Sequence, residues 1–128
     1  MLIKEYVELA ERTRSQLNNQ QLDNIHMALG LVTEAGELAD VFKKNLAYNK
    51  SIDWINVQEE MGDLMWYIAG LCNINNFDIE QILQVCIDKL RSRYPEKFDE
   101  DKAINRNLED ERKILEQVKH NIPQELIR

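Results

Sequence analysis

The chain has 128 residues, which is room for one domain (1–128) and not for two. It is 44% apolar and 30% charged, a balance that suits one packed core and excludes a disordered tail. There are 23 acidic residues against 16 basic ones, a formal net charge of −7, and an acidic surface repels nucleic-acid phosphates. No nucleic-acid partner is expected.

Turn residues are scarce. Proline is absent until Pro95, and the four glycines (Gly30, Gly36, Gly62, Gly70) lie inside apolar-periodic stretches. An all-β fold needs frequent Gly, Pro, Asn and Asp punctuation, so it is excluded. Leu2, Tyr6, Leu9, Thr13 and Leu17 predict a first helix, closed by the polar run Asn18 to Gln21. A second, long helix is predicted from about Leu22 to Ala47. A third runs from about Asp53 to Asn75, with Val57, Met61, Leu64, Ile68 and Leu71 as an a/d-like seam. Asp78, with Gln81 three residues on, caps a fourth helix that ends before Pro95. Asn107, with Asp110, caps a last helix to about Lys119 whose apolar residues are sparse. The expected fold is all-α, an antiparallel four-helix bundle core with an extra C-terminal helix. On the second helix Leu29, Val32 and Ala39 lie off the stripe of Met27, Leu31, Leu38 and Phe42, which predicts burial against a second copy, as a homodimer or tetramer.

No stretch approaches the roughly 18 apolar residues of a membrane span. The N-terminal residues carry acids early and show no signal core, so a cytoplasmic protein without a membrane partner is expected. Cys72 and Cys86 form no CxxC pair and read as reduced thiols, and His26 and His120 are too far apart for a zinc set.

The second helix carries Glu34-Ala35-Gly36-Glu37 and the third carries Glu60-Met61-Gly62-Asp63. Each is a pair of acids three residues apart around a glycine, and such side chains share one helical face. On consecutive antiparallel helices the two pairs can meet at one level. Four carboxylates brought together repel, and a hard divalent cation resolves the conflict: Mg²⁺, or Mn²⁺ in its place, takes oxygen ligands. Glu34, Glu37, Glu60 and Asp63 are the candidate ligands. Glycine costs about 1 kcal/mol against alanine inside a helix, so the glycines beside the acids predict a close helix approach there. A di-iron bundle would place His three residues after a Glu, and neither histidine stands so.

Glu34-x-x-Glu37 followed by Glu60-x-x-Asp63 resembles the ExxE…ExxD signature of the MazG-like all-α nucleoside triphosphate pyrophosphohydrolases, notably phage- and integron-borne members. The segments Ala28 to Asp40, Glu59 to Tyr67, Lys89 to Pro95, and Phe98 with Ala103-Ile104-Asn105-Arg106 are similar to the same family. Two departures stand out: Thr33 precedes Glu34 where many members have an acid, and Asp88 precedes Lys89 where many have Asn. The resemblance implies hydrolysis of a nucleoside triphosphate between the α and β phosphorus. Carboxylate-held Mg²⁺ suits that chemistry, supplying charge neutralisation and an activated water. Glu37 or Glu34 would orient or deprotonate the water, with Glu37 named first. Glu59 lies about 100° round the helix from Glu60 and reads as a solvated acid.

With the resemblance in hand, Lys89 and Arg93, one turn apart, become candidate phosphate contacts. Tyr94 adds a hydroxyl, Lys44 lies two turns beyond Glu37, and Arg106 is a further cation. Asn56, one turn before Glu60, is a candidate polar contact to the sugar or to metal-bound water. His26 and Trp54 are candidates for the base pocket, while Trp66 reads as core. Two alternatives remain open: phosphoribosyl-ATP pyrophosphohydrolase or dUTPase-like activity on the same fold, and a non-catalytic helical module binding nucleotide or metal.

Overall fold

The structure is a computed structural model and describes residues 1–121. Pro123 lies outside them. Helices account for the described secondary structure, in the order α1 (Ile3–Glu11), α2 (Gln20–Tyr48), α3 (Trp54–Asn75), α4 (Ile79–Arg93), α5 (Glu100–Ile104) and α6 (Leu108–Leu115), closed by a 3₁₀ segment over Glu116–Asn121. The fold is all-α. The chain forms two compact units, Met1–Ile74 and Asn75–Arg128. None of the described helices is long and apolar enough to cross a membrane.

The first unit is built on α2 and α3, whose ends follow from local chemistry. Asn19 caps α2 by accepting from the Leu22 amide. At the other end Asn49 takes a left-handed conformation (φ 51°), which stops the helix and turns the chain. Asp53 receives the amides of Ile55 and Asn56 to start α3. The two helices run antiparallel. Gln20 bonds to the carbonyl of Ile74, Gly30 faces the Tyr67 ring, and Phe42 meets Trp54 edge-on at 6.2 Å. Met27 is fully buried, and Ala69, Cys72 and Val57 line the same core. The apolar seam of α3 departs from expectation in one place: Met61 is 55% exposed.

The close approach of α2 and α3 is made by Gly30 and Gly70. A methyl group on Gly30 would overlap the ring of Tyr67, and one on Gly70 would overlap the sulfur of Met27. At Gly36 and Gly62 nothing lies within 4 Å of a Cβ. The expectation that the glycines beside the acids permit close approach is therefore corrected: the packing glycines lie one turn or more away.

Helix α1 stops at Glu11, short of the expected Leu17. Beyond it, the Arg14 guanidinium turns back to Glu11 (2.9 and 2.6 Å) and lies 3.6 Å from the buried Asp23. Asp23 also accepts the Leu17 amide, and Asn18 turns the chain with φ 57°. The Asp23 carboxylate thus takes up the Leu17 amide where no further helix does. Helix α1 is tied to α3 by Asn73, which donates to the Val7 carbonyl at 2.8 Å, and by the Trp66 indole, which donates to Thr13 at 2.9 Å.

In the second unit Asp78 caps α4 through the amides of Glu80 and Gln81, and Asn107 caps α6 through that of Asp110. The short α5, capped by Asp99, was not expected. The last helix ends at Leu115 and continues as 3₁₀ turn where Lys119 was expected to close it. Ile79 and Val85 are buried, and so is a charged residue, Glu111. Cys72, buried, and Cys86, exposed, form no disulfide.

Candidate functional site

Antiparallel packing brings the acidic faces of α2 and α3 to one level. One carboxylate oxygen each from Glu34, Glu37 and Glu60 lies within 4.8 Å of the others. Glu37 is exposed, Glu34 half-buried and Glu60 only 7% exposed. The pKa of Glu34 is raised above the ordinary carboxylate value. Burial contributes most, followed by the charge of Glu37, the close approach of the Glu60 carboxyl, and the charges of Asp63 and Glu60. Asp63 is exposed and stands outside the 4.8 Å set, though near enough for its charge to be felt at Glu34 and, after burial, at the Tyr6 hydroxyl.

Glu60 is the anchor of the cluster. Its Oε1 accepts from the Asn56 amide at 2.5 Å, one helical turn away. Its Oε2 is buried and has no hydrogen-bond partner. A buried carboxylate oxygen without a donor costs of the order of 1–3 kcal/mol, more when charged, and two further acids deepen that cost. The arrangement fits a hard divalent cation. The donors are all oxygen, the residue with the orphaned Oε2 belongs to the cluster, and its 4.8 Å bound is a little above the roughly 3–4.2 Å that separates ligand oxygens around one Mg²⁺ at about 2.1 Å. Three of the four expected ligands are brought together, and the fourth, Asp63, lies beside them.

Beside the carboxylates is a cleft of about 380 Å³ lined by Glu37, Asp40, Val41, Lys44, Lys50, Ser51, Asn56 and Glu60. Lys44 stands in it as expected from the sequence, with its ammonium 2.6 Å from Asp40, which Lys43 also reaches at 2.9 Å. The two lysines hold the Asp40 carboxyl below its ordinary pKa, and Asp40 in turn raises that of Lys44. Asn56 lines the cleft too, with its amide committed to Glu60. Asp40, Lys50 and Ser51 were not singled out in the sequence. Asn49 followed by Lys-Ser is the signal that was there: a helix-stopping residue that returns the next side chains toward the helix just left.

The remaining candidates lie elsewhere. His26 is half-buried, with Tyr67 edge-on at 6.4 Å, and its Nδ1 is buried without a hydrogen-bond partner. It lies eight residues before Glu34, about 12 Å along the helix. Trp54 is 61% exposed against Phe42, while Trp66 is half-buried and bonded to Thr13. Glu59 is exposed.

The second unit holds Lys89, half-buried on α4, and Tyr94, the residue that ends α4 and packs on Phe98 at 5.5 Å. Arg93, expected to contact phosphate, is committed to a carboxylate within its own unit. Its Nε and Nη2 donate to the two oxygens of Glu111 at 2.7 and 2.9 Å. Arg106 donates to the same carboxylate. The two guanidiniums pull Glu111 down to a pKa of about 2, and Glu111 raises that of Arg93. The signal for Glu111 in the sequence was weak: an acid four residues beyond an asparagine cap, on a helix too poor in apolar residues to bury anything else.

The profile of the MazG nucleotide pyrophosphohydrolase domain matches residues 22–98, a stretch that contains α2 from Leu22 on, α3 and α4, and all four motif acids. The chain is similar to the Gene 37 protein of Mycobacterium phage L5, 36% identical over 72 residues, covering 53% of this chain and 63% of that protein. It thus spans less than two thirds of that relative's length. No solved structure gives a significant match.

Proposed function

The chain belongs to the MazG nucleotide pyrophosphohydrolase family, and on that premise we propose that it hydrolyses a nucleoside triphosphate to the monophosphate and pyrophosphate at a Mg²⁺ site formed by Glu34, Glu37, Glu60 and Asp63. The observation that carries this reading is the buried, partnerless Oε2 of Glu60 within the three-carboxylate cluster. A non-catalytic packing role would leave that oxygen costly at neutral pH. Mn²⁺ has the same preference for oxygen donors and would serve in its place.

A bound divalent cation would supply phosphate charge neutralisation and a more acidic water. The protein's own groups do the rest. Glu60 is fixed by Asn56, so the cluster has one oriented member before substrate arrives. Glu37, exposed and lining the cleft, is the residue we assign to accept the proton of the attacking water. Water oxygen bonds to the α phosphorus, the bond from that phosphorus to the bridging oxygen breaks, and pyrophosphate leaves with the electron pair. Glu34, whose pKa is raised by burial and by the neighbouring acids, would be helped to stay ionised by a cation beside it. Lys89 and Tyr94 enter this reading through the family resemblance.

A second copy belongs to the proposal. Leu29 and Val32 on α2 are 60% and 70% exposed, and Ile25 one turn earlier is 46% exposed. Together they form an apolar stripe of the kind that dimers and tetramers cover.

The test is a panel of NTPs and dNTPs with Mg²⁺, run on material whose mass is fixed by light scattering, with monophosphate and pyrophosphate assayed separately. Equimolar release of the two, lost in Glu37→Gln and Glu60→Gln, supports the reading. Release of single phosphate, or turnover untouched by both substitutions, overturns it. Nucleotide binding without turnover by wild-type protein would favour the non-catalytic module.

A further inference from the structure

The cleft beside the carboxylates is lined by groups of both charges. Its lining combines two chemistries, the carboxylates of Glu37, Asp40 and Glu60 and the cations of Lys44 and Lys50 with the Ser51 hydroxyl. Val41 is the apolar side chain among the lining residues. Pockets for whole drug-sized ligands run from about 300 to 1,000 Å³ and are mostly apolar. A polar cleft of about 380 Å³ is therefore suited to a charged fragment of the substrate, and poorly suited to a base.

The two lysines differ. Lys44 is bonded to Asp40 at 2.6 Å, so its charge is already answered. Lys50 takes part in no ion pair among the described residues. Its backbone is held in place: the Asn45 amide donates to the Lys50 carbonyl at 2.7 Å, and the Lys50 amide donates to the Lys44 carbonyl at 3.3 Å. The left-handed Asn49 turns the chain immediately before it. The result is an uncommitted cation and a neighbouring hydroxyl, on a braced turn, facing the same cleft as the carboxylates.

We propose that Lys50, assisted by Ser51, binds the β- and γ-phosphates of the substrate and then the pyrophosphate that leaves, making the turn after α2 the element that selects a triphosphate tail. This rests on the pyrophosphohydrolase reading for its chemistry and on the cleft for its placement. Lys50 acts by hydrogen bonding and charge, and no proton is transferred from it.

The experiment measures inhibition by inorganic pyrophosphate and by the nucleoside monophosphate, with Mg²⁺ present, for wild type, Lys50→Ala, Lys50→Arg and Ser51→Ala. Direct titration calorimetry with pyrophosphate accompanies it. A charged hydrogen bond of ordinary strength gives a loss of about tenfold or more in pyrophosphate affinity for Lys50→Ala. Lys50→Arg should recover most of it, Ser51→Ala should lose less, and monophosphate inhibition should not move. Unchanged pyrophosphate affinity in folded Lys50→Ala overturns the assignment, as does an equal loss for the monophosphate. If wild type turns over no nucleotide, the catalytic reading fails, while calorimetry still decides the role of Lys50. If wild type is active and Lys50→Ala binds pyrophosphate normally, only the present inference fails.

Discussion

Gly30→Ala tests the packing on which the site depends. The added methyl would sit inside the hard-contact distance of three Tyr67 ring atoms. The ring has little freedom to yield: Trp66 stands edge-on to it at 4.9 Å and His26 at 6.4 Å. Overpacking of this kind costs about 1–3 kcal/mol, against which alanine gains about 1 kcal/mol of helix propensity. The net expectation is a loss of up to about 2 kcal/mol. Gly36→Ala and Gly62→Ala meet open space, so they should gain up to about 1 kcal/mol instead. Urea denaturation with the slope unchanged gives the comparison directly. Tyr67→Leu in the Gly30→Ala background should return most of the loss, because it removes the ring atoms that collide. Gly30→Ala as stable as wild type would refute the reasoning, as would Gly36→Ala destabilised by a similar amount.

Two further outcomes follow from the charged clusters. Glu60→Gln should stabilise the metal-free protein by about 1–2 kcal/mol, since it removes one of three mutually repelling carboxylates that approach within 4.8 Å. Its new amide can donate to Glu34 or Glu37, while its oxygen still accepts from Asn56. The same substitution should abolish the stabilisation by Mg²⁺, read as a rise in melting temperature, which for wild type amounts to about 2.7 kcal/mol at a hundredfold excess over Kd. A metal-free Glu60→Gln less stable than wild type would contradict the cluster's geometry. Glu111 is held at about 2, below the ordinary carboxylate value, so it stabilises the fold above about pH 4.5 and that contribution drains away as pH falls toward 2. Glu111→Gln should be less stable at pH 7 and should show a flatter loss between pH 4.5 and 2. Parallel acid unfolding curves for the two proteins would count against the pair of guanidiniums as the cause.

What could be read from the sequence was what repeats with helical period or stands at fixed spacing. The extents of α2 and α3 were legible from Met27 to Phe42 and from Val57 to Leu71, and the caps at Asp78 and Asn107 from single side chains. The meeting of Glu34, Glu37 and Glu60 required only that two helices run antiparallel. Other features depend on partners distant in sequence. Arg14 reaching Glu11 and Asp23 ended α1 early, although Thr13 and Leu17 continue its stripe. The glycines beside the acids suggested close approach by proximity, yet Tyr67 and Met27 place that approach at Gly30 and Gly70. Arg93 looked free because Glu111 lies 18 residues beyond it. Lys50 went unremarked because its surroundings are created by the turn at Asn49, and local periodicity says nothing about a turn's return path.

Gly30 and Gly70 also act as a gauge. Each admits one bulky neighbour, Tyr67 or Met27, and so indexes α2 against α3 to the residue. Glu34 lies four residues after Gly30, and Glu60 ten residues before Gly70. The carboxylate spacing is thus set by two notches cut one to three helical turns away. A single residue inserted between notch and acid would swing that acid about 100° off the cluster. The connection over 49–53 lies outside the indexed segments. Length can therefore change most freely in that connection, where Lys50 and Ser51 stand, without disturbing the spacing of the carboxylates.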